Sequence, residues 1–98
     1  MTFVQVIEYD TSQPEAVDAL LDEWLAQSKG KRTATHGMHG RDREHPNHYA
    51  DIIEFPSYEQ AMVNNDLPET QKIAERMTAL CDGAPRFLNL DITRDDNY

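Results

Sequence analysis

One stretch decides the fold of this chain: residues 49–62 read YADIIEFPSYEQAM. Its first seven residues are rich in β-branched and aromatic side chains, which favour a β-strand. Because successive side chains of a strand point to opposite faces, the neighbours Ile52 and Ile53 make both faces apolar. Ser57 and Gln60 then have the spacing of a helix-capping box. The stretch therefore predicts a central strand, covered on both faces, that leads directly into a helix.

The residues before this stretch predict a second central strand, a helix and an edge strand. Phe3 to Tyr9 is again apolar on both faces. Ser12 and Glu15 resemble a second capping box, and the residues from Val17 to Leu25 repeat apolar side chains along one helical face. Thr33 to Arg43 is polar on both faces and contains two glycines, as is typical of an edge strand. Its short connection to the central strand predicts an antiparallel hairpin.

The residues after this stretch complete one domain. Pro68 predicts a break in the second helix, which then resumes from Glu69 to Asp82 and stops at Gly83. Arg86 to Thr93 predicts the last strand. The order β-α-β-β-α-β indicates a single α+β domain over residues 1–98, of ferredoxin-like type, with a four-stranded antiparallel sheet. Right-handed crossovers place both helices on one face of that sheet.

The other face of the predicted sheet needs a second cover. The helices can cover only one face, yet the first, third and fourth strands carry apolar residues on both. A soluble monomer rarely exposes so large an apolar surface. Because two-fold homodimers are the commonest oligomers, we predict that a second copy of the chain covers this face.

Composition excludes several classes of partner. The net charge is −9, from 18 acidic and 9 basic residues, so nucleic acid and anionic membrane surfaces are disfavoured. No apolar run approaches the roughly 20 residues of a membrane span, and the first residues do not resemble a signal peptide. The single cysteine, Cys81, cannot form an internal disulfide. These features together predict a cytoplasmic protein.

The order of elements and the stretch 49–62 resemble the dimeric α/β-barrel superfamily, and within it the antibiotic biosynthesis monooxygenase-like group. The resemblance extends from Phe3 to Ile92. It implies two sheets packed face to face in a homodimer, and a pocket between sheet and helices in each subunit. Characterised members of the group oxidise aromatic polyketides or quinols with oxygen and use neither metal nor flavin. Relatives degrade haem, isomerise lactones or only bind ligands.

The resemblance implies a function and a set of site residues. We expect a cofactor-independent monooxygenase, or a related enzyme, that acts on an aromatic or quinone-like small molecule and needs no cofactor. The alternative is a non-catalytic dimer that binds a small ligand or is associated with stress. His48 is the predicted base, because its pKa lies near neutrality, and Asn65 stands where many members have a histidine. The predicted substrate contacts are Trp24, Met38, Tyr49, Tyr58 and Met62.

Four histidines within thirteen positions invite a metal-site interpretation. They are His36, His39, His45 and His48. Imidazole is the commonest transition-metal ligand. In a strand, however, positions three apart point to opposite faces, so His36 and His39 cannot reach one ion without a bulge. We therefore predict polar residues on an exposed edge hairpin and no metal site.

Overall fold

A computed structural model describes all of residues 1–98. It contains four strands and three helices, in the order β-α-β-β-α-α-β. The elements are β1 (Phe3–Asp10), α1 (Pro14–Gln27), β2 (His36–Arg41), β3 (His48–Phe55), α2 (Tyr58–Asn65), α3 (Pro68–Leu80) and β4 (Arg86–Asp91). The predicted α+β class and ferredoxin-like order are confirmed, with the second helix divided in two before Pro68.

The four strands form one antiparallel sheet in the order β2-β3-β1-β4. The two strands predicted to be central, β1 and β3, lie in the middle. The polar strand β2 lies at an edge, as its composition indicates. It is shorter than predicted, because its ladder to β3 starts where His36 faces Glu54 and ends where Arg41 faces Tyr49.

Helix starts follow the sequence pattern in one case and depart from it in another. Ser57 caps α2, since its Oγ accepts a hydrogen bond from the Gln60 backbone N–H at 3.1 Å. The capping role predicted for Ser12 is wrong. Gln13 is the N-cap residue of α1 and offers no side-chain cap. The buried Thr11 hydroxyl is the nearby acceptor, and it takes the Gln13 N–H at 3.0 Å.

The core lies between the helices and one face of the sheet. One buried cluster holds Tyr9, Val17, Leu20, Ile73 and Met77, and a second holds Phe3, Phe55 and Ala61. The strand residues of both clusters have odd numbers in β1 and β3 and so share one face of the sheet. The helices are therefore held against that face by burial of apolar area.

The opposite face of the sheet keeps a stripe of apolar residues at the surface. Met38, Leu88 and Leu90 are 48%, 49% and 37% exposed. The register joins them into one stripe, because Ile52 is paired with both Met38 and Val6, and Val6 is paired with Leu88. The homodimer predicted to cover this stripe stays a prediction. Each of the three helices is too short or too polar to cross a lipid bilayer.

Candidate functional site

A cavity of about 230 Å³ lies between the sheet and the helices, next to both core clusters. Nine of its 15 lining residues are hydrophobic, and aromatic rings come from Trp24, Phe55 and Phe87. Phe87 is an exposed residue of the edge strand β4, so the cavity is bounded on that side by a ring in contact with solvent. Apolar walls with a few polar groups are typical of small-molecule sites.

The ring of Trp24 is fixed in the cavity wall by two contacts. Its indole N–H donates a hydrogen bond to Thr70 Oγ1 at 2.9 Å, which ties α1 to the first turn of α3. The guanidinium carbon of Arg32 lies 5.8 Å from the centroid of the ring, within the range of a cation–π contact. A ring held in this way can pack against a flat ligand without losing much side-chain entropy.

Two amide side chains enter the cavity from the end of α2. Asn64 is buried, and its Oδ1 accepts a hydrogen bond from the Thr33 backbone N–H at 3.2 Å. Asn65 is half-buried and lines the same cavity. Helix α2 ends at this point because Pro68 begins α3, so the break in the helix brings these amides close to Gln71. Part of the polar lining of the site therefore lies at this break between the two helices.

The only ionisable side chain in the cavity wall is that of Asp51, which is 2% exposed. Its Oδ1 accepts a hydrogen bond from the Tyr9 hydroxyl at 3.0 Å and lies 2.6 Å from His39 Nδ1. The imidazole of His39 reaches outward, with 42% of its side chain exposed. A carboxylate at the cavity wall is thus linked to solvent by one imidazole ring.

Asp51 changes the acid–base behaviour of both partners. Its hydrogen bond to His39 raises the pKa of the imidazole above the ordinary value. Burial raises the pKa of the Tyr9 hydroxyl, and the neighbouring carboxylate adds to that effect. Tyr9 therefore stays a neutral donor at physiological pH, and His39 holds its proton to a higher pH than a free imidazole does.

Of the seven residues predicted to form the site, Trp24 and Asn65 line the cavity. Met38 points to the open face of the sheet, because its strand partner is Ile52. Three others, Tyr49, Tyr58 and Met62, lie on the helix side outside the cavity wall. Tyr49 stacks on Tyr9 with ring centroids 5.9 Å apart, Tyr58 meets Phe3 edge-on at 5.4 Å, and Met62 packs against the cluster around Phe55.

The predicted base, His48, also lies on the open face of the sheet. Its Nδ1 is 2.9 Å from Asp10 Oδ1, and its Nε2 is 3.3 Å from Glu8 Oε1. These hydrogen bonds, first the one with Asp10, raise the pKa of His48. The structure of one subunit therefore does not bring His48 and Asn65 together.

Three of the four histidines are paired, each with different carboxylates. His39 is paired with Asp51, His48 with Asp10 and Glu8, and His45 with Asp42 at 3.0 Å. His36 and His39 lie on opposite faces of β2. No group of three or more histidine, cysteine, aspartate or glutamate side chains is arranged to hold a metal ion.

Comparison with solved structures places this fold among known proteins. SnoaB, a cofactor-independent oxygenase from Streptomyces nogalater, superposes with a TM-score of 0.80 over 96% of this chain and 95% of its own, at 13% identity. A protein from Caulobacter crescentus assigned to the antibiotic biosynthesis monooxygenases gives 0.81 over 95% and 91%, at 12% identity. Rv0793 from Mycobacterium tuberculosis gives 0.80 over 99% and 100%, at 9% identity.

Comparison by sequence gives no such result. No family model matches the chain, and no curated protein matches it. The likeness therefore rests on three-dimensional structure, at identities of 14% or below. Taken with the order of elements, it shows that the chain has the fold of these solved antibiotic biosynthesis monooxygenase-like proteins.

Proposed function

We propose that this chain is a small cofactor-independent monooxygenase, or a related enzyme, that acts on a planar aromatic or quinol-like compound. The observation that carries the proposal is the cavity of about 230 Å³ with aromatic walls, in a fold shared with SnoaB. In such a reaction the substrate supplies the electrons that reduce oxygen. An anthrone, for example, takes up O₂ and gives the corresponding quinone and water.

The cavity-lining residues have distinct roles in this proposal. Trp24 packs against one face of the substrate, because its ring is already fixed by Thr70 and Arg32. Asn65 donates a hydrogen bond to a substrate carbonyl or to bound oxygen. Holding both reactants in one small site accelerates the reaction by removing the entropy cost of their encounter.

The base role predicted for His48 stays a prediction. Its place on the open face means that it can reach a substrate only from that side of the sheet. The turnover of a His48→Asn variant tests this role directly. If the reaction takes place in the cavity beneath the helices, we expect that variant to keep most of its activity.

A second candidate function is ligand binding without catalysis. The observation that favours it is the scarcity of acid–base groups at the site: Asp51 is the one ionisable side chain in the cavity wall. That carboxylate is already engaged by Tyr9 and His39. A protein that only stores or senses a flat apolar compound needs nothing more than such a cavity.

The experiment is an oxygen-uptake assay on the untagged protein with a panel of anthrones and naphthalene-type quinols. We expect uptake above the buffer rate for at least one class, with the matching quinone as product. Replacing Asn65 by leucine should lower the rate by roughly a hundredfold to a thousandfold, the range for loss of a hydrogen-bond donor at a reacting oxygen.

A control variant checks the specificity of the effect, and a binding measurement separates the two candidate functions. His45→Asn removes an imidazole from an exposed turn and should leave the rate unchanged. Binding of the same compounds is measured by calorimetry. Binding without turnover across the panel would favour the ligand-binding function, and neither binding nor turnover would contradict both.

A further inference from the structure

The geometry points to Asp51 Oδ2 as a specificity site that takes the hydroxyl group of an aromatic alcohol bound in the cavity. The ligand class is therefore phenol-like or quinol-like compounds, which donate a hydrogen bond, and not their quinone or ether counterparts, which only accept one. This inference rests on the proposed function for its aromatic ligand, and it adds a polar contact that selects among such ligands.

The first step of the argument is the uneven use of the two carboxylate oxygens. Both hydrogen bonds to Asp51, from Tyr9 and with His39, go to Oδ1. Oδ2 has no partner in the protein. Among the side-chain oxygens and nitrogens that lack a hydrogen-bond partner, only Oε2 of Glu69 is fully shielded from solvent. Oδ2 of Asp51 therefore retains contact with open space, and the cavity is the space that Asp51 lines.

The second step is the cost of leaving this oxygen without a partner. A carboxylate oxygen can accept more than one hydrogen bond, and burying it without one costs free energy. Asp51 stands on β3 between Tyr49 and Ile53, on the apolar face that packs against the helices. While the cavity is open to solvent, water can meet Oδ2, so the cost arises only when a ligand displaces that water. A ligand that donates a hydrogen bond to Oδ2 avoids the cost, whereas a ligand that cannot donate incurs it.

The third step is the sign of the local charge. Tyr9 donates to the carboxylate, and His39 beside it is the group that can carry the balancing positive charge. Asp18 also faces His39, and the cavity wall itself holds no basic side chain. The acceptor at the cavity wall is therefore a carboxylate oxygen with no cationic side chain on the cavity side. A carbonyl oxygen placed against it is repelled, and a hydroxyl group is attracted.

Calorimetry with matched two-ring probes tests this inference without any turnover. The probes are 1-naphthol, which donates a hydrogen bond, 1-methoxynaphthalene, which does not, and naphthalene, which has no polar group. We expect 1-naphthol to bind roughly tenfold to a hundredfold more tightly than the ether, as a hydrogen bond to a charged group implies. Equal affinity for naphthol and ether would overturn the inference.

The variant Asp51→Asn makes the test sharper. Its amide can keep an oxygen for Tyr9 and His39 while presenting an N–H₂ group to the cavity. We expect the preference for 1-naphthol to disappear and the affinity for the ketone 1-tetralone to rise, with the affinity for naphthalene unchanged. Tyr9→Phe is the matched control, because it removes a hydrogen bond to Oδ1 and leaves Oδ2 in place. It should keep the preference for naphthol.

The outcomes separate this inference from the proposed function. If no probe binds, naphthalene included, the aromatic cavity site and the inference both fail. If the probes bind without preference, the inference alone fails. If 1-naphthol is preferred but no quinol or anthrone is oxidised, the inference holds and the oxygenase function does not. Should Asp51→Asn not fold, the three probes on the unmodified protein still decide the question.

Discussion

The hydrogen bond from Trp24 to Thr70 is predicted to hold α1 against α3 at the wall of the cavity. Replacing Thr70 by valine keeps the shape of the side chain and removes the acceptor 2.9 Å from the indole nitrogen. An ordinary hydrogen bond contributes about 0.5–1.5 kcal/mol to the free energy of unfolding. At about 4–8 °C for each kcal/mol in a domain of this size, Thr70→Val should lower Tm by roughly 2–12 °C.

A double-mutant cycle isolates that contribution from the loss of packing. Trp24→Phe also removes part of the aromatic ring, so it should destabilise the protein by more than Thr70→Val does. The pairwise coupling between the two changes should be about 0.5–1.5 kcal/mol, because only the first removal breaks the bond. Urea unfolding followed by circular dichroism at one fixed protein concentration measures all four variants, with unchanged m-values as the condition for comparison.

Thr78→Val is the matched control for this cycle. Thr78 also lies on α3, but its hydroxyl donates to the Ala74 carbonyl of its own helix and is far along the helix from Thr70. It should show no coupling to Trp24→Phe. A coupling near zero for the Thr70 pair, or an equal coupling for the Thr78 pair, would refute the view that this bond fixes the cavity wall.

Three further predictions concern the charge pair, a helix cap and the open face. His39 is faced by Asp51 and Asp18, which hold its pKa above the ordinary value. The pair therefore stabilises the fold fully below the unfolded-state pKa of about 6.5, and this stabilisation is lost as pH rises through the higher folded-state pKa. The stability difference between the wild type and His39→Gln should shrink from pH 5.5 to pH 9 in urea unfolding, and a constant difference contradicts this. Ser57→Ala should cost about 1 kcal/mol in the same assay, with Ser57→Asp as the control that keeps the cap. Leu88→Glu should halve the mass measured by sedimentation if the open face is a dimer interface, whereas a wild type of 11.3 kDa would remove the basis for that expectation.

The central strands of the sheet could be predicted from sequence because the residue pattern that identifies each strand lies within that strand. Strands β1 and β3 are apolar on both faces over seven or eight consecutive residues, and that pattern admits only a central position in a covered sheet. The cap of α2 was equally readable, since Ser57 and Gln60 carry the whole motif. The start of α1 was not, because Gln13 at its N-cap offers no side-chain cap. The acceptor for the Gln13 N–H is the buried hydroxyl of Thr11, which lies outside the spacing of a capping box.

The site was harder to predict, because it depends on which face each residue takes and on how the helices meet. Trp24, predicted from the apolar face of α1, and Asn65, predicted from its place before Pro68, both line the cavity. Met38 and His48 were named as site residues, yet both have even numbers in strands whose odd-numbered residues face the helices. The alternation of side chains along a strand is enough to place both on the face of the sheet that the helices do not cover.

The same alternation identifies Asp51, the residue to which we assign the hydroxyl contact in the cavity. It stands between Tyr49 and Ile53 on the face of β3 that had to be buried. An aspartate at such a position is almost never buried without a partner, so its presence indicates a hydrogen-bonded cluster or a site. The fold supplies Tyr9 and His39 as partners from the two neighbouring strands, in register with Tyr49 and with Asp51. Both partners use the same oxygen, so the other oxygen is free for the hydroxyl group that we propose as its ligand. That contact would explain why an aspartate stands on a face of β3 that is otherwise apolar.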